Sequence, residues 1–166
     1  MAFDIVGRPH DPAIAEQVRA AARQLPHLTY REGVSHDEAL RLIAGTDVMV
    51  SCSLDETGPI ILIEALALGV PILSTNVGAV AEKLADGGGA LFVRAGDAEA
   101  LASALERFVT EPHLRQRLAA EARGAYEQHF TYDRFGERFV ELVRELISSR
   151  AAPLQRRAEQ GSVVVS

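Results

Sequence analysis

The sequence is poor in the features that mark several large classes of protein. It has one cysteine, Cys52, which excludes an intramolecular disulfide framework and a cysteine-cluster metal site and favours a reducing compartment. It has no apolar run of about 18 residues and no basic N-terminal region leading into a long apolar segment. We therefore expect a cytoplasmic protein, with peripheral attachment to a membrane only through a partner.

The chain also lacks an excess of basic residues. Its net charge is −6, and acidic and basic side chains are interspersed without a charged tail. A nucleic-acid partner is therefore not expected, since such a surface needs clustered Lys and Arg. A length of 166 residues fits one domain. We assign residues 1–150 to that domain and residues 151–166 to a tail.

Short apolar runs alternate with helical patterns along the domain. Strands are predicted at residues 3–7, 28–31, 47–52, 71–74 and 90–93. Helices are predicted at residues 12–24, 36–44, 60–68, 80–85, 97–110, 112–129 and 132–149. This order predicts an α/β fold, a doubly wound, Rossmann-like parallel sheet of about five strands with helices on both faces. Ligands bind such sheets beyond the carboxyl ends of the strands.

Capping residues support two of these helices. Asp11 is a suitable N-cap, with Pro12 at the first helical position. Ser35 and Glu38 have the spacing of a capping box, and Gly45 is expected to end the second helix. The tail loses helical periodicity at Pro153, so we expect it to be mobile or, through the β-prone residues 162–166 (SVVVS), to pair as a strand.

Glu64 is the most informative residue because it interrupts an apolar helix. Every other residue from 60 to 68 is apolar, and a helix that is apolar nearly all round is expected to be buried. A carboxylate there is costly unless something hydrogen-bonds it. Two interpretations stay open: Glu64 is satisfied by the protein, or it awaits a polar ligand.

The start of the same helix has the character of an anion site. Pro59 suits the first helical position, and the amides of Ile60 and Ile61 are expected to point out of the helix, where the helix dipole is positive. Glu56 lies beside this start, at the end of a strand, and can accept hydrogen bonds from hydroxyls. Two carboxylates flanking an anion site suit a nucleotide sugar, which has ribose, diphosphate and sugar in that order.

The stretch SLDETGPIILIEALALGVPILSTNVGAVAE resembles the nucleotide-sugar-binding half of GT-B retaining glycosyltransferases of family 4. The resemblance rests on two glutamates separated by seven residues, a small-residue helix end, Gly69, Pro71, a strand and Gly78. FDIVGRP resembles the family's second strand, LTYREGVSHDEALRLIAGTDVMVSCS its base-binding loop with the next helix and strand, and GGGALFVRAGDAEALASAL its closing strand and helix. The likeness covers residues 3–147 and implies half of a GT-B enzyme.

The resemblance also implies roles for individual residues. Glu56 would contact hydroxyls of the transferred sugar as the catalytic residue, and Glu64 would bind the ribose. The diphosphate would face the helix start, at Thr57, Gly58, Pro59, Ile60 and Ile61. The remaining donor contacts would come from the loops after the first two strands, at Gly7, Arg8, Gly33 and Val34. Family members need no metal and no cofactor besides the donor substrate.

Two departures qualify this expectation. The family usually has Gly-Phe-Gly after the first glutamate, whereas this sequence has Thr57-Gly58-Pro59, and proline donates no amide. The family's first strand, with its Arg and Lys, would precede Phe3 and is not in this sequence. Because that strand is central, a gap with unpaired backbone on both neighbours is expected. The tail at residues 162–166 or a second copy of the chain is expected to pair at these edges, and an acceptor-binding N-terminal domain or a partner chain is expected to complete the enzyme.

The leading interpretation is therefore the donor-binding domain of a retaining hexosyltransferase, inactive when isolated. A degenerate module that binds nucleotide or a partner subunit without catalysis is the main alternative. A sugar-nucleotide epimerase of the same architecture fits the spacing of the acids less well.

Overall fold

The computed structural model of the chain describes residues 2–84 and 88–159, with the side chains of residues 2–84 and 88–149. Within these ranges five strands alternate with helices, and two further helices follow. The strands are β1 Phe3–Gly7, β2 Leu28–Glu32, β3 Met49–Ser51, β4 Ile72–Thr75 and β5 Ala90–Val93. The helices are α1 Pro12–Gln24, α2 His36–Ala44, α3 Ile60–Ala67, α4 Gly78–Leu84, α5 Ala98–Thr110, α6 Pro112–His129 and α7 Tyr132–Glu159.

The strands are all parallel and form two sheets. In the first sheet β1 pairs with β2, and Phe3 lies opposite Leu28. In the second sheet β4 lies between β3 and β5, with Ile72 opposite both Met49 and Ala90. The predicted α/β, Rossmann-like class with helices on both faces is confirmed, because each parallel crossover contains a helix.

The five strands that were predicted as one sheet are divided between two sheets. Within the described residues, no ladder joins β1 or β2 to the sheet of β3, β4 and β5. The strand β1 is exposed at four of its five positions, whereas all four residues of β4 are buried. The two sheets therefore differ sharply in how completely they are covered.

The main core lies against the three-stranded sheet. One cluster of buried side chains joins β4 to helices α5 and α6, and its members are Leu73, Ala104, Phe108, Leu114 and Leu118. Val48, Val50, Leu91 and Val93 pack at its edge. The sheet of β1 and β2 contacts α1, but Ala15 is the only residue buried in that helix.

Side-chain caps are present at three helices, two of which, α1 and α2, have the N-caps that the sequence predicts. The Asp11 carboxylate accepts from the Ala13 amide at 2.7 Å, and the Asp97 carboxylate accepts from the Ala100 amide at 2.9 Å. The Ser35 hydroxyl accepts from the Glu38 amide at 3.2 Å, which is one half of a capping box. Gly45 follows α2 with φ −94°, so it ends the helix without the left-handed conformation that glycine often supplies there.

Several expectations about individual elements are wrong. Strand β3 is three residues long and half-buried, whereas a buried strand over residues 47–52 was expected. Helix α3 buries only one face: Leu62, Ala65 and Leu66 are buried, but Ile60 is 69% exposed. The apolar sequence predicts burial on every side, yet the described residues supply neighbours for one side only.

The last helix extends beyond its predicted end at residue 149. Helix α7 continues through Pro153 to Glu159, so the loss of periodicity at Pro153 does not end it. The suggested strand at residues 162–166 lies outside the described residues. Among those that are described, no helix combines the length and apolarity needed to cross a membrane.

The chain divides into two compact units, residues 1–126 and 127–166. This division falls earlier than the boundary at residue 150 that the sequence suggests. Helix α7 in the second unit carries a row of exposed apolar side chains, including Phe135, Phe139, Leu142 and Leu146. Periodicity predicts where this helix begins but not where it ends, and it does not reveal which compact unit the helix joins.

Candidate functional site

The loop between β3 and α3 is tied to the end of β4 and to the start of α4. The Thr75 hydroxyl donates to the Ser53 carbonyl oxygen at 2.6 Å, and the Ala79 amide donates to the Thr57 carbonyl oxygen at 3.1 Å. Both contacts join residues distant in sequence, and Thr75 is buried. These bonds fix the segment that carries Glu56 at the carboxyl end of the three-stranded sheet.

Glu56 is held by its own loop and backed by a glycine. The Ser53 hydroxyl donates to Oε1 of Glu56 at 3.0 Å, and the side chain is half-buried. Gly78 has φ +77°, and a Cβ there would lie 2.8 Å from the Glu56 carbonyl oxygen. Only glycine fits this close approach. The second carboxylate oxygen of Glu56 has no hydrogen-bond partner among the described residues.

The start of α3 presents free amides beside this loop. Pro59 is the N-cap of α3 and not its first helical residue, since its ψ of 100° is extended. Leu62 donates to the Pro59 carbonyl oxygen at 3.1 Å, but no bond from the Ile60 or Ile61 amide is present in the described part of the chain. Thr57, Gly58 and Ile60 are exposed at this end. A helix start with free amides can hold an anion.

Glu64 lies one turn along α3 and is paired through one oxygen. The side-chain oxygen Oε1 lies 2.6 Å from Nε2 of His36, the first residue of α2, and the Glu64 side chain is 22% exposed. No described residue bonds to Oε2. The expectation of a deeply buried acid is therefore wrong: Glu64 is half-buried, and among the described residues only one of its two oxygens has a hydrogen-bond partner.

The loops after β1 and β2 meet each other. The Gly33 amide donates to the Gly7 carbonyl oxygen at 3.4 Å, and Gly33 has φ +66°. Arg8 is exposed and Val34 is half-buried. Within the described ranges, no hydrogen bond or ion pair joins Gly7 or Arg8 to either glutamate. His36, which follows the second of these loops at the start of α2, contacts Glu64 of α3.

The structure adds three residues that the sequence did not single out for the site, namely His36, Ser53 and Thr75. The partner of His36 lies 28 positions away in sequence, so no local pattern marks this residue. Ser53 stands three residues before Glu56, a spacing at which a serine commonly bonds nearby groups.

The candidate site contains no cluster typical of a metal centre. No group of three or more His, Cys, Asp or Glu side chains in the part of the chain that is described could hold a metal ion. Whether the donor binds without metal or cofactor stays a prediction.

Solved structures show that this is the Rossmann-like α/β fold found in GT-B glycosyltransferases. A sucrose-phosphate synthase from Thermosynechococcus elongatus is similar with a TM-score of 0.71 and 23% identity, over 88% of this chain and 38% of that one. The Anabaena protein HepE, solved in complex with UDP, is similar with a TM-score of 0.73 and 15% identity, over 87% of this chain and 41% of that one.

Sequence comparison identifies the family to which the chain belongs. Residues 2–125 match the family described as Glycosyl transferases group 1, and the chain belongs to that family. An alpha-maltose-1-phosphate synthase from Mycolicibacterium smegmatis is 28% identical over 84% of this chain. A D-inositol 3-phosphate glycosyltransferase from Stackebrandtia nassauensis is 30% identical over 78% of it. The chain spans 39% and 30% of the lengths of these two relatives.

Proposed function

We propose that this chain is the donor-binding domain of a glycosyltransferase that moves a hexose from a nucleotide sugar to an acceptor with retention at the anomeric carbon. Membership of the glycosyltransferase family supports the reaction class. HepE, which shares the fold, has been solved in complex with UDP and with UDP-glucose, which supports a nucleotide-sugar donor. The observation that carries the proposal is Glu64, a half-buried carboxylate with one oxygen unpaired among the described residues, next to a helix start.

The parts of the donor are distributed along the loop and helix. The ribose hydroxyls bind to Glu64, and the hydroxyls of the transferred sugar bind to Glu56. Between them the diphosphate faces Thr57, Gly58 and Pro59 and takes hydrogen bonds from the amides of Ile60 and Ile61. The base and the remaining donor surface lie against the earlier loops, at Gly7, Arg8, Gly33 and Val34.

Transfer breaks the bond between the anomeric carbon and the diphosphate oxygen. The bonding electron pair leaves with the nucleoside diphosphate, and the acceptor oxygen forms the new bond and gives up its proton to the departing phosphate oxygen. Negative charge therefore grows on the departing phosphate, where donors aimed at that oxygen lower the barrier. The amides at the start of α3 and the guanidinium of Arg8 are the groups assigned to this charge, and no metal or cofactor is assigned.

The acceptor site lies in an N-terminal domain or a partner chain. The chain matches only about a third of its curated relatives, so this part of the proposal concerns the whole enzyme. The polypeptide studied alone is predicted to bind donor without transferring sugar. Its single cysteine continues to favour a cytoplasmic location.

A second candidate function is a nucleotide-binding or assembly module without catalysis. The exposed strand β1, with Ile5 40% and Val6 38% exposed, and the break between the two sheets favour it. Unpaired strand edges bind further strands, from a partner chain or a second copy. Pro59, which donates no amide to a phosphate, also favours it.

Calorimetric titration separates a nucleotide-binding site from an assembly module that binds no nucleotide. We expect micromolar to millimolar binding of at least one of ADP, GDP, UDP or their glucose conjugates, lost in Glu64→Ala and retained in Glu99→Ala, an exposed acid of α5. Failure of all six nucleotides to bind would leave only the assembly module. Equal binding by Glu64→Ala would remove Glu64 from the site. Light scattering, which measures the molecular mass in solution, then tests whether copies of the chain associate.

A further inference from the structure

His36 is placed by a capped helix directly against the Glu64 carboxylate. The Ser35 side chain caps α2 through the Glu38 amide, which fixes the position of the first helical residue. Helix α2 contacts α3, and Nε2 of His36 lies 2.6 Å from Oε1 of Glu64. The packing of α2 on α3 and the Ser35 cap together therefore place the imidazole against the carboxylate.

The contact has a defined chemical sense. A carboxylate oxygen can only accept a hydrogen bond. Nε2 of His36 must therefore carry a hydrogen and act as the donor of this bond. This holds for the neutral ring with hydrogen on Nε2 and for the protonated ring alike. Hydrogen bonds to a charged group are among the stronger ones in proteins. The bond restrains rotation of the Glu64 carboxyl group and leaves Oε2 as its outward acceptor.

We propose that His36 is a positioning residue, which holds the Glu64 carboxylate in the orientation that accepts the ribose hydroxyls of the donor. This inference rests on the proposed function and deepens it. Without His36 the carboxyl group rotates freely, and each ligand hydrogen bond must first fix it. The side chain of His36 is 67% exposed, so its replacement leaves the buried core unchanged.

The alternative is a surface contact between two helices with no part in binding. Exposed pairs of this kind contribute little to stability. The two interpretations predict different binding results. A positioning residue changes the affinity only for ligands that carry the ribose hydroxyls, and only while Glu64 is present. A double-mutant cycle that includes the ligand therefore distinguishes them.

The test compares ADP, GDP and UDP with their 2′,3′-dideoxy counterparts by calorimetry on the full chain. The variants are His36→Leu, His36→Gln, Glu64→Ala and the double variant, with His113→Gln, an exposed histidine of α6, as the matched control. Circular dichroism checks that each variant is folded. His36→Leu should weaken binding of the ribonucleotide by about tenfold, which corresponds to one charge-assisted hydrogen bond.

The dideoxy nucleotide should bind wild type and His36→Leu equally, and His36→Leu should add nothing in the Glu64→Ala background. His36→Gln, which keeps an N–H donor, should recover most of the lost affinity, and the control should match wild type. If wild type prefers the ribonucleotide through Glu64 but His36→Leu changes nothing, or weakens both ligands equally, the positioning role is wrong and the donor site stands. If wild type binds none of the nucleotides, the donor site and the role of His36 both fall.

Discussion

The sheet of β3, β4 and β5 and the sheet of β1 and β2 have the same parallel construction but very different surroundings. Every residue of β4 is buried, and helices α5 and α6 close the core over it. Four of the five residues of β1 are exposed, although Ile5 and Val6 are apolar. The same kind of sequence thus gives a closed half that carries the glutamates and an open half whose edge has no strand partner among the described residues. Packing against helices, more than the composition of the strands, decides which of the two sheets is buried.

The largest expected difference between the halves concerns their cores. Phe108 is 1% exposed in the cluster over β4, so Phe108→Ala should lower the free energy of unfolding by about 3–5 kcal/mol through lost burial and a cavity. Val6→Ala in the open strand should cost less than about 1 kcal/mol, because Val6 already contacts solvent. Urea unfolding followed by circular dichroism measures both. Similar losses at the two positions would mean that the open half has a core of its own.

The next effect concerns two left-handed glycines, one in each half. Gly78→Ala should cost at least about 2 kcal/mol, because an L-residue is strained at φ +77° and its Cβ would meet the Glu56 carbonyl oxygen at 2.8 Å. Gly33→Ala has the strain of φ +66° but open space around the Cβ, and should cost about 1 kcal/mol. Unfolding in urea gives the difference. Equal costs would show that the loop of Glu56 moves aside freely.

A smaller effect separates a buried hydrogen bond from an exposed one. Thr75→Val keeps the shape of the side chain but removes the donor to the Ser53 carbonyl oxygen, at an expected cost of about 1–2 kcal/mol. Asp4→Asn weakens the exposed pair with Arg31 across β1 and β2, and should cost about 0–1 kcal/mol. Thermal melting of both variants tests this order. If Thr75→Val is as stable as wild type, the hydrogen bond from Thr75 to Ser53 does not hold the loop that carries Glu56.

The smallest expected effect on stability comes from exposed carboxylate–arginine pairs. It should be the same in both halves, since these pairs lie at the surface. Hydrogen bonding to Arg107 lowers the pKa of Glu111 at the end of α5, and hydrogen bonding to Arg23 lowers the pKa of Glu16 in α1. A carboxyl with a lowered folded pKa stabilises the protein above its unfolded pKa, and this contribution is lost as pH falls through the folded pKa.

Glu111→Gln and Glu16→Gln should therefore lower the melting temperature slightly and similarly at pH 7. The difference from wild type should vanish when both the folded and unfolded carboxyls are protonated. Melting curves at a series of acidic pH values measure it. A difference that persists at low pH would show that the substitutions act through something other than charge.

Local chemistry explains most of what the sequence predicts correctly. The bounds of α1, α6, β1 and β5 follow from periodicity, proline at helix starts and capping by Asp11. The exposed side of α3 is not predictable in this way, because burial depends on which other elements are present. The bond between His36 and Glu64 joins residues far apart in sequence, and only the packing of α2 against α3 creates it.

The central claim is that a nucleotide occupies the start of α3 and reaches Glu64. Amide chemical-shift mapping on the full chain, with ADP, GDP and UDP added in turn, tests it most directly. At least one of these nucleotides should shift the amides of Gly58, Ile60 and Ile61 together with the Nε2–H signal of His36, and should leave the middle of α7 unchanged. Shifts confined to other segments, or none with any of the three nucleotides, would contradict the claim.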